Sequence, residues 1–239
     1  MILLSIVFIV LLAKLVNAMN ILVVGSKEQA NIIKEKVKGD HEVRFAGFLS
    51  EALLEKAHVV FDFNVDASPD NLEQYVNYPG MSVFLNAVNF SLAEQAIYQD
   101  AVQCDLFGFN GHPTFIERDL MEVSMYRPED KMDLEKALKG MGLEYQLVDD
   151  RVGMVTPRII AMIINEAYYT VMEGTANRDD IDLGMKLGTN YPMGPFEWAE
   201  KWGIINVYEV LEALFEDIKD ERYKICPLLK KEYLYFMEG

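Results

Sequence analysis

Cysteine and basic residues are the scarce components of this 239-residue sequence. The two cysteines, Cys104 and Cys226, lie far apart and in no paired spacing typical of a metal site. We therefore expect two reduced thiols in a reducing compartment and no bound metal. Lysine and arginine number 22 against 38 aspartates and glutamates, for a formal net charge of −16. This deficit argues against nucleic-acid binding and against an electrostatic hold on anionic lipid, because both depend on Lys and Arg.

The first 18 residues, MILLSIVFIVLLAKLVNA, form an apolar segment. The run Leu3–Ala13 is shorter than the roughly 20 residues that cross a bilayer, and no basic region precedes it as in a secretory signal. Because MNILVVGS from Met19 has the form of a natural start, we interpret residues 1–18 as a reading-frame extension without a role. A signal or membrane anchor, or an extra docked helix, remains an alternative. We expect a cytoplasmic protein, with a membrane partner only if this segment is a true anchor.

Short apolar strands alternate with helices through residues 19–150. A β-branched run that ends in glycine, NILVVG, is typical of a buried parallel strand. Six further strands are predicted, which makes the full set Asn20–Gly25, His41–Phe45, Ala57–Phe63, Met81–Leu85, Leu106–Phe109, Leu120–Tyr126 and Tyr145–Val148. This alternation predicts an α/β, Rossmann-like, doubly wound parallel sheet.

The hydrophobic period changes to that of helices after Arg151. Apolar residues recur at three- and four-residue steps in four segments, Pro157–Gly174, Arg178–Gly188, Pro195–Trp202 and Val207–Ile218. No internal repeat or low-complexity linker interrupts the chain. We predict a shortened dinucleotide-binding domain over residues 19–150 and an all-α domain over residues 151–239.

The helical part contains residues that commonly begin or end helices. Asp180 and Asp182 are expected near the start of a helix, where negative charge meets the positive end of the helix dipole. Gly188 is placed to end that helix, and Pro195 to open the next one as its first residue. These residues account for a fold and carry no chemistry.

The helical part closely resembles the C-terminal domain of 3-hydroxyacyl-CoA dehydrogenases, of the 3-hydroxybutyryl-CoA type. The matching pieces are Asn165-Glu166-Ala167, Glu173-Gly174, Asp180-Ile181-Asp182, Lys186-Leu187-Gly188 and, most specific, Tyr191-Pro192-Met193-Gly194-Pro195-Phe196-Glu197. The resemblance implies NAD-linked oxidation of a 3-hydroxyacyl-CoA in fatty-acid metabolism. It also implies an acyl-CoA-type ligand and a homodimer formed through the C-terminal helices.

The resembled family uses a His base held by a Glu, in the pattern HFFNP followed by LVEV. Leu120-Met121-Glu122-Val123 puts Glu122 on the orienting glutamate. Counting back by the family spacing puts Asn110 on the base, whereas pairing His112-Pro113 with the family's Asn-Pro puts Phe109 there. His112 serves as base only if the loop shifts. The candidate catalytic residues are therefore Glu122, His112 and Asn110.

The dinucleotide fingerprint of the resembled family is incomplete. A fingerprint of three glycines serves a tight turn, close pyrophosphate approach and helix packing. Here Gly25 and Ala30 keep the first and last small positions, but no glycine lies between them, and Glu28 adds a carboxylate. The acid expected after the second strand is missing, while Asp66 matches a family acid near the cofactor. Gly25, Ala30 and Asp66 are the candidate NAD-binding residues.

Two further catalytic positions differ from the resembled family. Phe90 replaces a serine after the fourth strand, and Pro157 replaces an asparagine in the first C-terminal helix. Joint loss of residues that act as a unit is rarely compensated. We therefore expect an NAD-linked 3-hydroxyacyl-CoA dehydrogenase-like protein with impaired catalysis. The alternative is an inactive relative that serves as a binding or assembly subunit.

Overall fold

A computed structural model describes residues 18–238, so the interpretation of residues 1–18 lies almost wholly outside the described residues. Seven strands are present: β1 (Asn20–Val24), β2 (Glu42–Ala46), β3 (Val59–Asp62), β4 (Ser82–Asn86), β5 (Asp105–Phe109), β6 (Leu120–Met125) and β7 (Glu144–Leu147). Five helices lie among them: α1 (Lys27–Lys36), α2 (Glu51–Leu54), α3 (Asn71–Tyr75), α4 (Leu92–Ala96) and α5 (Lys131–Gly140). Each of the seven predicted strands is confirmed to within two residues at either end.

The seven strands form one sheet in the order β2-β1-β3-β4-β5-β6-β7. The first five are mutually parallel, but β6 runs antiparallel to β5 and parallel to β7. The prediction of a parallel sheet is thus confirmed except at this one pair. No helical crossover lies between β5 and β6, and a chain that returns without a crossover can pair only antiparallel.

Phenylalanines from three neighbouring strands fill the middle of the sheet. Phe61, Phe84 and Phe107 are register partners on β3, β4 and β5, and all three are fully buried. The Phe61 and Phe84 rings stack at 4.9 Å, and Phe109 meets Phe61 edge-on at 5.4 Å. Such aromatic pairs add to the free energy that burial alone provides.

The helical part contains α6 (Thr156–Met172), α7 (Arg178–Thr189), α8 (Pro195–Trp202), α9 (Ile204–Ile218) and α10 (Pro227–Glu238). The chain divides into two compact units. The sheet unit comprises residues 18–86, 92–109 and 119–147 of the described chain, and the helical unit comprises residues 87–91, 110–118 and 148–238. The helical unit therefore recruits two short segments from the first half of the sequence. No helix among the described residues is long and apolar enough to cross a membrane.

Candidate functional site

The turn between β1 and α1 is closed by its own side chains. The Gln29 N–H donates to Ser26 Oγ at 3.1 Å, and the Ser26 N–H donates to Gln29 Oε1 at 2.7 Å. This reciprocal pair is a capping box, which uses donors that a helix start otherwise offers to an anion. A side chain at Gly25 would collide with Gln29 Oε1 and displace the Gln29 side chain from this cap. Ala30 is buried in the first turn.

These residues do not fit a dinucleotide pyrophosphate. A pyrophosphate at this turn needs free backbone N–H groups and a glycine that allows close approach. Two of those groups are already bound within the capping box, and Glu28 adds a negative charge to the same first turn. The predicted NAD residues Gly25 and Ala30 therefore occupy the expected turn, but in a form that competes with the cofactor.

A buried acid lies at the carboxyl end of β3, where sequence reasoning selected Asp66. Asp66 is exposed, whereas Asp62 is fully buried. The Asp62 carboxylate accepts hydrogen bonds from the Asn64 N–H at 2.7 Å, Asn71 Nδ2 at 2.9 Å and the Tyr75 hydroxyl at 2.7 Å. Burial raises the pKa of Asp62 above its usual value, and these donors oppose that rise. An acid inside the apolar run AHVVFDF was the signal available in the sequence.

Segment 110–118 carries two predicted catalytic residues into the helical unit. Asn110 is buried, and its Oδ1 accepts a long hydrogen bond of 3.4 Å from the His112 N–H. The His112 ring is also buried, with 4% of its surface exposed, and its Nδ1 accepts the Trp202 indole N–H at 3.0 Å. Burial lowers the pKa of His112 from 6.5 to about 4. The third candidate, Glu122, lies half-buried on β6 in the sheet unit, opposite Gln146 on β7.

An aromatic cluster surrounds His112 within the helical unit. Phe115 stacks on Trp198 at 5.6 Å and meets Trp202 edge-on at 4.9 Å. The Arg118 guanidinium lies over the Phe115 ring at 5.0 Å. Since three aromatic rings and an imidazole share one cluster, segment 110–118 is anchored to α8 by packing as well as by the His112 hydrogen bond.

The turn that opens α8 is capped from the preceding helix. Asp182 Oδ1 accepts the Phe196 N–H at 2.8 Å, and Asp182 Oδ2 accepts the Glu197 N–H at 3.1 Å. A Cβ at Gly194 would overlap the Asp182 carboxylate, so this approach requires glycine. Pro195 is the first residue of α8, as predicted. Asp182 lies near the start of α7, as predicted, but its carboxylate caps the start of α8.

Two asparagines bound α7 itself. The Asn177 side chain accepts the Asp180 N–H at 2.9 Å as the N-cap. Asn190, in the left-handed conformation with φ 57°, is the C-cap. The prediction that Gly188 ends α7 is therefore wrong. Asparagine tolerates the left-handed region, and the helix continues through Gly188 to Thr189.

Comparisons with known proteins agree on the helical part. Residues 153–235 match the family model described as "3-hydroxyacyl-CoA dehydrogenase, C-terminal domain". A probable 3-hydroxybutyryl-CoA dehydrogenase of Bacillus subtilis is 39% identical over 103 residues, which cover 43% of this chain and 36% of the relative. A 3-hydroxyadipyl-CoA dehydrogenase of Escherichia coli is 39% identical over 97 residues, covering 41% of this chain and 20% of the relative. Residues 153–235 are thus similar to the C-terminal domain of the 3-hydroxyacyl-CoA dehydrogenase family.

A likeness in fold extends over nearly the whole chain. The crystal structure of (S)-3-hydroxybutyryl-CoA dehydrogenase from Ralstonia eutropha superposes with a TM-score of 0.73 at 20% identity, over 92% of this chain and 94% of that chain. The predicted Rossmann-like class is thereby confirmed. The chain spans only about a third of the length of the curated 3-hydroxybutyryl-CoA dehydrogenases that it first matches.

The two positions that differ from the resembled family, Phe90 and Pro157, are both buried, Pro157 in the first turn of α6. Neither can donate or accept a side-chain hydrogen bond. The roles predicted for Glu122, His112, Asn110, Gly25, Ala30 and Asp66 remain predictions. In the described part of the chain, no group of three His, Cys, Asp or Glu side chains is arranged to hold a metal ion.

Proposed function

We propose that this chain is a 3-hydroxyacyl-CoA dehydrogenase-like protein directed at 3-hydroxyacyl-CoA of the 3-hydroxybutyryl type, with impaired NAD-linked oxidation. The observation that carries the impairment is the hydrogen bond from the Trp202 indole to His112 Nδ1. The match of residues 153–235 to the family's C-terminal domain supports an acyl-CoA-type ligand.

The protonation state of His112 opposes a role as general base. An indole N–H can only donate, so His112 Nδ1 must keep its lone pair, and the neutral ring carries its proton on Nε2. To take a proton from a hydroxyl at Nε2, the neutral ring would have to carry its own proton on Nδ1 instead. That Nδ1–H would then point at the Trp202 indole N–H. A pKa near 4 also lies far from the near-neutral value that favours general-base catalysis. His112 is a structural residue in this proposal.

The other two candidate catalytic residues, Asn110 and Glu122, do not supply the general base that His112 fails to provide. Asn110 occupies the position that the family spacing gives to the base, and an amide does not take up protons near neutral pH. Position 110 therefore offers no imidazole for a glutamate to orient. The capping box of Ser26 and Gln29 adds a second obstacle, since it competes with the cofactor's pyrophosphate. Impairment therefore has two independent physical causes.

Turnover of acetoacetyl-CoA with NADH, followed by absorbance, tests this proposal. We expect at most a low rate, and little further loss of rate in Glu122→Gln and His112→Asn. A rate well above background that either substitution abolishes would show that the catalytic unit works, and the impairment proposal would fail. Binding of acetoacetyl-CoA, measured separately by calorimetry, tests the ligand class independently of turnover.

The alternative is an inactive relative that acts as a binding or assembly subunit, and the surface of α7 favours it. Its twelve residues include no buried side chain, and Leu183 and Leu187 are 52% and 78% exposed. A mostly apolar cavity of about 520 Å³ adjoins α7, lined by residues that include Ile159, Met162, Ile163, Ala167, Ile181 and Met185. An amphipathic helix normally buries its apolar face, so this surface suits a homodimer through the C-terminal helices.

Replacing Leu187 with aspartate tests the homodimer. We expect the mass measured by light scattering to fall to that of a monomer at low protein concentration, because a charge would enter an apolar interface. Glu200→Asp, another exposed change in the same unit, is the control. An unchanged mass for Leu187→Asp would place any assembly elsewhere.

A cytoplasmic location forms part of the proposal. Its support is that both cysteines are free and buried. Cell fractionation with N-terminal sequencing tests it. Recovery in the membrane fraction with residues 1–18 intact would indicate a true anchor instead.

A further inference from the structure

The outer edge of β2 is unpaired within the described part of the chain, because β2 ends the strand order. The Glu42 N–H donates to the Met19 carbonyl at 3.0 Å, and the Ala46 carbonyl accepts the Gly25 N–H at 3.2 Å. Residues 42, 44 and 46 thus direct their backbone groups at β1. Alternation along a strand then turns the N–H and C=O groups of Val43 and Phe45 to the outer edge.

Opposite charges flank Val43 on this edge. Glu42 and Arg44 are two residues apart, so their side chains lie on the same face of the sheet. They form an exposed ion pair at 2.8 Å within the strand. Phe45, on the opposite face, is 48% exposed, and Phe48, just beyond the strand, is 92% exposed. The edge thus combines free backbone groups, both signs of charge and exposed aromatic surface.

The charges select one register for pairing with an identical strand. An antiparallel copy must place outward-turned residues opposite each other to exchange backbone hydrogen bonds. With Val43 opposite Val43, Glu42 of each copy lies opposite Arg44 of the other. A shift of one pairing step in one direction sets Glu42 against Glu42, and in the other direction sets Arg44 against Arg44. Like charges directly opposite destabilise a sheet, so both shifted registers are disfavoured.

We propose that β2 pairs antiparallel with β2 of a second copy of this chain, about a two-fold axis through Val43. An isologous contact of this kind requires that residue i meets j while j meets i, and Glu42 and Arg44 satisfy that condition. Charges on edge strands commonly prevent pairing. Here their alternation excludes the slipped registers and leaves the symmetric one. Pairing extends the sheet across two molecules and satisfies the outward groups of Val43 and Phe45.

This surface is independent of the homodimer proposed through α7. It lies wholly within the sheet unit, so its loss and the loss of the α7 contact can be measured separately. The Leu187→Asp background isolates the β2 contact, and full-length protein is used throughout. Sedimentation equilibrium over a wide range of protein concentration gives the association constant.

Charge reversal provides a matched pair of variants. We expect Arg44→Glu to weaken association by about tenfold, because each symmetric position exchanges an attraction for a repulsion. The double variant Glu42→Arg with Arg44→Glu restores opposite charges across the axis and should recover the wild-type association constant. Equal association constants for wild type and Arg44→Glu would overturn the proposal. Failure of the double variant to recover association would overturn the assigned register.

A backbone variant tests the hydrogen bonds themselves. Val43→Pro removes an N–H that points away from β1, so proline is compatible with this edge position. It should abolish association while the thermal midpoint stays close to that of wild type. A wild-type association constant for Val43→Pro, or a wild-type protein that stays monomeric at all concentrations in the Leu187→Asp background, would also overturn the proposal.

Discussion

Replacing His112 with asparagine should remove a defined part of the pH dependence of stability. The imidazole is buried and neutral, and protonation would place a second N–H against the Trp202 indole. The unfolded chain exposes the same ring and protonates it at its ordinary pKa of 6.5, whereas the folded pKa is about 4. Asparagine offers an acceptor to the indole and does not titrate in this range.

The magnitude follows from linkage. A folded pKa below the unfolded value means that the unfolded state binds more protons, so stability falls as pH decreases from 6.5 towards 4. The pKa values of 6.5 and about 4 correspond to about 3 kcal/mol in the limit, at about 1.4 kcal/mol for each pKa unit. Between pH 7.5 and pH 5.0, protonation of His112 in the unfolded state is expected to lower the free energy of unfolding by about 2 kcal/mol. Both values lie above the isoelectric point of about 4.6, so the protein keeps its negative charge.

Urea unfolding at the two pH values, followed by tryptophan fluorescence, measures the effect. On going to pH 5.0, the free energy of unfolding should fall by about 2 kcal/mol more in wild type than in His112→Asn. This difference is what remains after the contribution that the other titrating groups make to both proteins is subtracted. His58→Asn, at an exposed histidine, reports what removal of a surface imidazole does. Identical pH dependence for wild type and His112→Asn would refute the assignment of a buried neutral imidazole.

Two further substitutions test other hydrogen-bonded sites. Gly194→Ala should lower the free energy of unfolding by at least about 2 kcal/mol, because the new Cβ displaces the Asp182 carboxylate and breaks both charge-assisted hydrogen bonds to the start of α8. An unchanged urea midpoint would contradict this cap. Tyr75→Phe should cost about 1–3 kcal/mol, since it leaves the buried Asp62 carboxylate without one donor. Tyr98→Phe, at a ring that is 85% exposed, is the matched control, and equal thermal midpoints for the two variants would argue against this role of Tyr75.

The order of elements and the family could be predicted from the sequence because both depend on local patterns. Seven strands followed from short β-branched runs, and the helical part from a three- and four-residue period. The motif from Tyr191 to Glu197 indicated the family resemblance, because its glycine and prolines fit fixed backbone conformations. The absence of a histidine at the family spacing before Glu122 could also be predicted from the sequence, because it requires only counting residues back from Glu122.

Only the tertiary structure decided which residues meet. Asp182 caps the helix after its own, because α7 and α8 bring residues fourteen positions apart into contact. His112 lies against Trp202, ninety residues away; that partner determines its tautomer, and burial lowers its pKa. Sequence pattern determines which segments become helices and strands because that choice is local, whereas the protonation of His112 and the capping of α8 depend on contacts between different elements of the fold.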